Sequence, residues 1–376
     1  MLQSCQGDIM QNYYYQNNTP PFNGQQPQYQ MPYFPIKPQL TPKQAQRRTL
    51  RKESNKLGFF ILIYFVVMIQ ISSIASSVIK EMRIVTKENQ TIFVMLIQLI
   101  ASLGSVLAAT LFYRLISRRR LSESFVKSRL NADMLIPMVL LGMGAAMMAN
   151  QLAAMFDNNI SLFRLENSAS MSESTHTVPE ILLYVLSTAI VPAFAEELAF
   201  RGIFMNVLRR FGDAFAIIAS AVVFGAMHGN TTQIIFAFTL GLIFAYVDCK
   251  ANSIIPSIII HFFNNFYAVV TDIIGSNSGF DSGTVAAIRV GIIIMFCFTG
   301  LLSYIYLSKR DKDFFKITNE DSNGLNSGSL LSLKEKNAAC FTSVGVIISL
   351  AVFSAEMILN LIPQDVQQEI VRSVGG

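Results

Sequence analysis

From residue 57 onward this sequence is built of apolar runs long enough to cross a bilayer. A spanning helix needs about 20 consecutive, mostly apolar residues, and such runs lie near 57–79, 92–115, 133–156, 178–204, 213–229, 231–249, 253–273, 285–308 and 338–361. The run at 213–229, and the two either side of the break at 249–253, sit at the lower limit of length. The chain has 376 residues, of which 14% are charged, against about 25% in a typical soluble domain. A soluble core is therefore excluded, and the expectation is an all-α, polytopic transmembrane bundle of about eight to nine spans. The net charge of +5 does not point to nucleic acid, because the basic residues stand in short blocks beside the apolar runs, as membrane topology requires.

Residues 1–45 are rich in Gln, Asn, Pro and Tyr, with few aliphatic residues to pack, and read as a disordered tail. No apolar signal segment precedes the first run, so that run is expected to direct insertion and to stay. A transmembrane bundle is expected over 57–308, a flexible cytoplasmic linker over 309–337 and an extra transmembrane helix over 338–361, standing as an accessory outside the main bundle. Lys and Arg fix the orientation. With a cytoplasmic N-terminus, the inside segments hold Arg47, Arg48, Arg51 and Lys52, the basic group around Arg118–Arg120, then Arg209, Arg210, Lys250 and the cluster from Lys309 to Lys336. Few basic residues fall outside. The cysteines Cys5, Cys249, Cys297 and Cys340 are scattered and carry no metal or disulfide spacing.

Charged side chains inside a span cost at least about 2.5–3.5 kcal/mol each and are functional candidates by default. The fourth run holds Glu196, Glu197 and Arg201 in VPAFAEELAFRGIF. Glu197 and Arg201, four residues apart with the acid first, stand one above the other on a helix face as an ion pair. Glu196 is rotated from Glu197 by about 100° and must face something else. Two of the three histidines fall in apolar runs: His228 ends AIIASAVVFGAMH, and His261 lies in SIIPSIIIHFFNNFYAVV with Asn265 one turn on. His176 lies in the loop at 157–177. Counting at about 1.5 Å per residue from the basic anchors, Glu196, His228 and His261 all fall in the middle part of the bilayer.

A carboxylate held in an apolar bundle is suited to take a proton from water and later return it to a leaving amine. Histidines share in activating that water or donate to an oxyanion, and an Asn amide is an oxyanion donor. Zinc is the other possibility, with Glu196, His228 and His261 as a three-ligand set, although no HExxH is present. Each group also has a bland reading. Glu197–Arg201 serves as a buried salt bridge that orients a helix, Glu196 as a proton relay in a transporter, and either His or Asn265 (or Asn264 beside it) as interhelical glue.

Taken jointly and in order, Glu196-Glu197-Leu198-Ala199-Phe200-Arg201 reads as EExxxR, Phe224-Gly225-Ala226-Met227-His228 as FxxxH, and His261-Phe262-Phe263-Asn264-Asn265 as HxxxN. The pattern resembles the CPBP family of intramembrane peptidases, the CAAX protease and bacteriocin-processing group also called Abi, over about 178–270. The resemblance implies an endopeptidase in which Glu196 and His228 activate water, His261 and Asn265 stabilise the oxyanion, and Glu197 and Arg201 support them. It leaves the metal open, since the family has been called metalloprotease while its better-understood members look glutamate-dependent. The implied partners are a membrane-associated protein or peptide substrate and the lipid bilayer, with no nucleic acid. The expected location is a bacterial cytoplasmic membrane. A proton-coupled transporter and a non-catalytic scaffold or immunity protein of the same fold are the alternatives. Nothing in the tail or loops selects among a prenylated CAAX tail, a signal peptide and a bacteriocin as substrate.

Overall fold

Thr41-Pro42-Lys43-Gln44 starts the first helix. Thr41 N–H donates to Gln44 Oε1 at 3.0 Å and Gln44 N–H donates back to Thr41 Oγ1 at 3.3 Å, while Pro42 occupies the first helical position, where no N–H is required. The computed structural model describes residues 40–81, 86, 89–117, 131–160, 177–229, 231–277, 279–316 and 329–361. Tail residues 1–39, His176 and linker residues 317–328 lie outside the described residues. The first helix thus already runs through the last residues of the expected tail.

Among the described residues there are helices and no strands. They are α1 (Pro42–Glu81), α2 (Gln90–Ser117), α3 (Ala132–Ile160), α4 (Val178–Arg209), α5 (Asp213–Ala226), α6 (Thr231–Ala251), α7 (Ile255–Asn277), α8 (Ser282–Arg310), α9 (Leu333–Phe341) and α10 (Val344–Leu361). Eight of them are long and apolar enough to cross a membrane, which makes the chain an integral membrane protein.

The expected span at 213–229 is not one of the eight. It forms α5, 14 residues long, and at about 21 Å it falls short of a hydrocarbon core of about 30 Å. Its side chains are buried on opposite faces, with Phe215, Ala216, Ile217, Ala219, Ala221 and Val223 all inside. Its apolarity therefore reflects packing within protein rather than exposure to lipid. His228 stands in the turn that follows this short helix. The last expected span also divides, at Thr342–Ser343, into the short α9 and the spanning α10.

Small residues set the close crossings. A Cβ on Gly58 of α1 would stand 2.2 Å from the backbone carbon of Gly345 in α10. Ser349 Oγ donates to Gly58 O at 2.8 Å, and Asn55 Oδ1 accepts from Gly345 N–H at 2.7 Å. The last helix is thus locked backbone to backbone on the first, rather than standing outside the bundle. Lys43 pairs with Glu335 of α9 at 2.8 Å in the same assembly. Gly225 of α5 and Gly241 of α6 similarly let those helices touch, since added Cβ atoms would sit 2.9 Å from Ile234 O and 3.0 Å from Ala221 Cα. Arg209, one of the basic residues in the expected cytoplasmic segments, is buried, with Nε 2.9 Å from Asp213 Oδ1 and Nη1 2.8 Å from Asn252 Oδ1.

Candidate active site

The acidic pair lies on α4, between two stretches of wider, π-helical turn at Val185–Ile190 and Leu198–Met205. Pro192 accounts for the first. Its ring cannot donate to the carbonyl four residues back and would clash with it, and the chain responds with a five-residue step in which Val191 N–H reaches Leu186 O. Such π turns inside α-helices recur at functional sites.

Glu197 faces the interior and is fully buried. Its Oε1 accepts from Arg201 Nη1 at 3.0 Å and from His261 Nδ1 at 2.9 Å. Arg201 has further contacts: Nη2 donates to Gly241 O at 3.3 Å, and the guanidinium carbon lies 4.4 Å from the Phe224 ring centre and 5.2 Å from that of Phe244. The His261 ring in turn stacks on Phe244. Glu197 and Arg201 therefore form a buried support that fixes His261, through a carboxylate that satisfies two donors at once.

Glu196, one residue earlier, turns to the other side and reaches a cavity of about 870 Å³. His228, His261, Asn265 and Thr188 line the same cavity. His261 Nε2 stands 4.0 Å from Glu196 Oε2, near enough to feel its charge but beyond a hydrogen bond. Glu196 Oε2 is buried without a hydrogen-bond partner among the described residues. Asn265 Nδ2 donates to Thr188 O at 3.1 Å, which leaves one N–H of that amide for the cavity. Asn264, the alternative to Asn265 in the sequence reading, is tied to Asn150, whose Nδ2 donates to Asn264 Oδ1 at 3.0 Å. The four expected residues thus share one cavity.

The two histidines present themselves alike. A carbonyl and a carboxylate only accept, so the 2.8 Å contact of His228 Nδ1 with Phe224 O and the contact of His261 Nδ1 with Glu197 each place a proton on Nδ1. In each neutral ring Nε2 is left as the acceptor.

The cavity is larger than the three motifs imply. Met68 and Ser72 of α1, Gln98 of α2 and Glu356 of α10 also line it, all from outside the segment that carries the motifs. Glu356 is the one charged residue in α10. The rule that singled out the fourth run, a charge within a span, also finds it.

The possible zinc set is not assembled among the described residues. Among the described residues no three His, Cys, Asp or Glu side chains stand together as a metal group, and tetrahedral zinc bonds of about 2.0–2.2 Å would set two ligand atoms about 3.4 Å apart, against the 4.0 Å between His261 Nε2 and Glu196 Oε2. No step below is routed through a metal.

A polytopic helix bundle with a buried, charge-supported Glu/His/His/Asn cavity is the class that fold and site define. Residues 178–267 match the family model described as type II CAAX prenyl endopeptidase Rce1-like, so the chain carries a domain of the CAAX protease family, the group that the motifs resemble. The match takes in Glu196, Glu197, Arg201, His228, His261 and Asn265, and leaves out α1–α3 and α8–α10. No curated protein and no solved structure matches the chain in the corresponding comparisons.

Proposed function

We propose that the chain is an intramembrane endopeptidase of the CAAX-protease type, which hydrolyses a peptide bond near or within the membrane by attack of a water molecule. The observation that carries this reading is the opening of Glu196, His228, His261 and Asn265 onto one cavity inside a membrane bundle.

Glu196 takes one proton of a water held in the cavity while Nε2 of His228 accepts a hydrogen bond from its other O–H, and the hydroxide adds to the scissile carbonyl carbon. The developing oxyanion lies toward Asn265, whose second N–H is free of Thr188, and toward His261. To donate from Nε2, His261 must carry protons on both nitrogens, and the carboxylates of Glu197 and Glu196 are the two acceptors such a ring faces. The C–N bond then breaks as the proton taken from water passes to the leaving amine. A metal is not part of this scheme. The substrate is a membrane-associated protein or peptide, no nucleic acid takes part, and the N-terminus lies in the cytoplasm of a bacterial cell.

The test is cleavage in membranes expressing the full chain, with Glu196→Ala and His228→Ala as variants checked for insertion and yield. Loss of about a hundredfold or more in each is expected. Full proteolysis by Glu196→Ala overturns the mechanism, and proton-dependent substrate flux without cleavage favours the transporter.

A further inference from the structure

Glu356 stands in Ser354-Ala355-Glu356-Met357, on the apolar helix α10 and outside the matched segment. Half-buried on a spanning helix, it faces the cavity that holds Glu196 and His228. One turn on, Asn360 Nδ2 donates to Gly229 O at 3.1 Å. Gly229 has a φ of +62° and is so placed that a Cβ there would stand 3.5 Å from Glu356 Cγ. The Glu356 face of α10 is therefore fastened onto the turn that follows His228.

A carboxylate at such a position is costly unless something offsets its charge. Among the described residues Glu356 has no ion pair and no hydrogen bond, and no Lys or Arg lines the cavity. Two carboxylates, Glu196 and Glu356, thus face one space whose described walls hold no Lys or Arg. Glu196 has a place in the chemistry, and Glu356 has none.

We propose that Glu356 is a specificity-determining residue that receives a Lys or Arg side chain of the substrate close to the scissile bond. This inference rests on the peptidase reading for the word substrate. A cationic side chain near Glu356 offsets its charge, whereas an acidic residue at the same place meets two carboxylates. Electrostatic matching of this kind acts mainly on partner choice.

The test uses the full chain in detergent with an apolar host peptide that carries one Lys, Gln or Glu, moved through each position in turn. Binding is measured in the cleavage-deficient Glu196→Ala background, where Glu356 alone remains of the two carboxylates. At its best position the Lys peptide is expected to bind about fivefold to tenfold tighter than the Glu peptide. Glu356→Gln should abolish that preference and Glu356→Lys should reverse it, with thermal unfolding reporting that both variants are folded. Equal preference in all three chains, or no binding by any peptide, overturns the inference.

Cleavage by the chain with Glu196 intact is the second arm, read as the ratio of kcat/KM for the Lys and Gln peptides. Binding preference without any cleavage removes the peptidase reading and leaves Glu356 a cation site. Cleavage with a ratio that Glu356→Gln does not alter removes this inference alone.

Discussion

Asn265 donates to the carbonyl of Thr188, the backbone oxygen whose α-helical donor would be residue 192, a proline. One amide therefore both closes a gap in α4 and faces the cavity. Asn265→Ala should lower stability by about 0.5–1.5 kcal/mol, the net worth of a hydrogen bond lost at a part-buried site, and slow turnover by about a hundredfold or more through loss of an oxyanion donor. Pro192→Ala in the same chain returns an N–H to α4. The double variant is expected to regain its unfolding temperature while staying inactive, and recovery of activity with stability would mean that Asn265 acts only as a brace.

Arg201 should resist conservative replacement. Its two nitrogens serve Glu197 and Gly241, and its plane lies against Phe224 and Phe244, a set that the point charge of a lysine does not reproduce. Arg201→Leu strands the Glu197 carboxylate and is expected to cost about 3–5 kcal/mol. Arg201→Lys should recover only part of that, as read from thermal unfolding and the yield of inserted protein.

Gly345→Ala tests whether α10 must sit on α1. The new Cβ would stand 2.2 Å from Asn55 O, and overpacking of this kind costs about 1–3 kcal/mol. Cleavage should fall as well, although residue 345 lines no part of the cavity. A variant that loses stability with undiminished turnover would show that α10 is dispensable to the site.

Acid should loosen α9 from α1. Lys43 beside Glu335, together with the Ser332 backbone N–H, holds that carboxyl down from 4.5 to about 2. A lowered carboxyl contributes stability above its unfolded value, and this is lost as pH falls toward about 2. The gap in unfolding temperature between the parent chain and Glu335→Gln should be constant at neutral pH and close between the two values. A gap that persists at the acid end would assign the contact to something other than charge.

The sequence makes the motif residues legible because a charge in an apolar run stands out against a simple background. Glu197 with Arg201 follows from helical spacing, and the opposed directions of Glu196 and Glu197 follow from one step of rotation. The π turns around them leave no such mark, since Pro192 announces a disturbed turn without saying how the turn adjusts. The eight spans fall within the expected eight to nine, and the run at 213–229 does not span because apolarity registers burial of any kind and α5 is buried in protein. The cavity walls drawn from α1, α2 and α10 depend on which helices meet, which is decided by pairs such as Gly58 and Gly345 that lie nearly three hundred positions apart.

That pairing also has a consequence in time. A ribosome releases α1 well before α10, and the wall holding Glu356 and Asn360 closes only when Gly345 reaches Gly58. A nascent chain can therefore display every motif residue while its cleft still gapes on one side, and the finished chamber comes into being only once α10 has emerged.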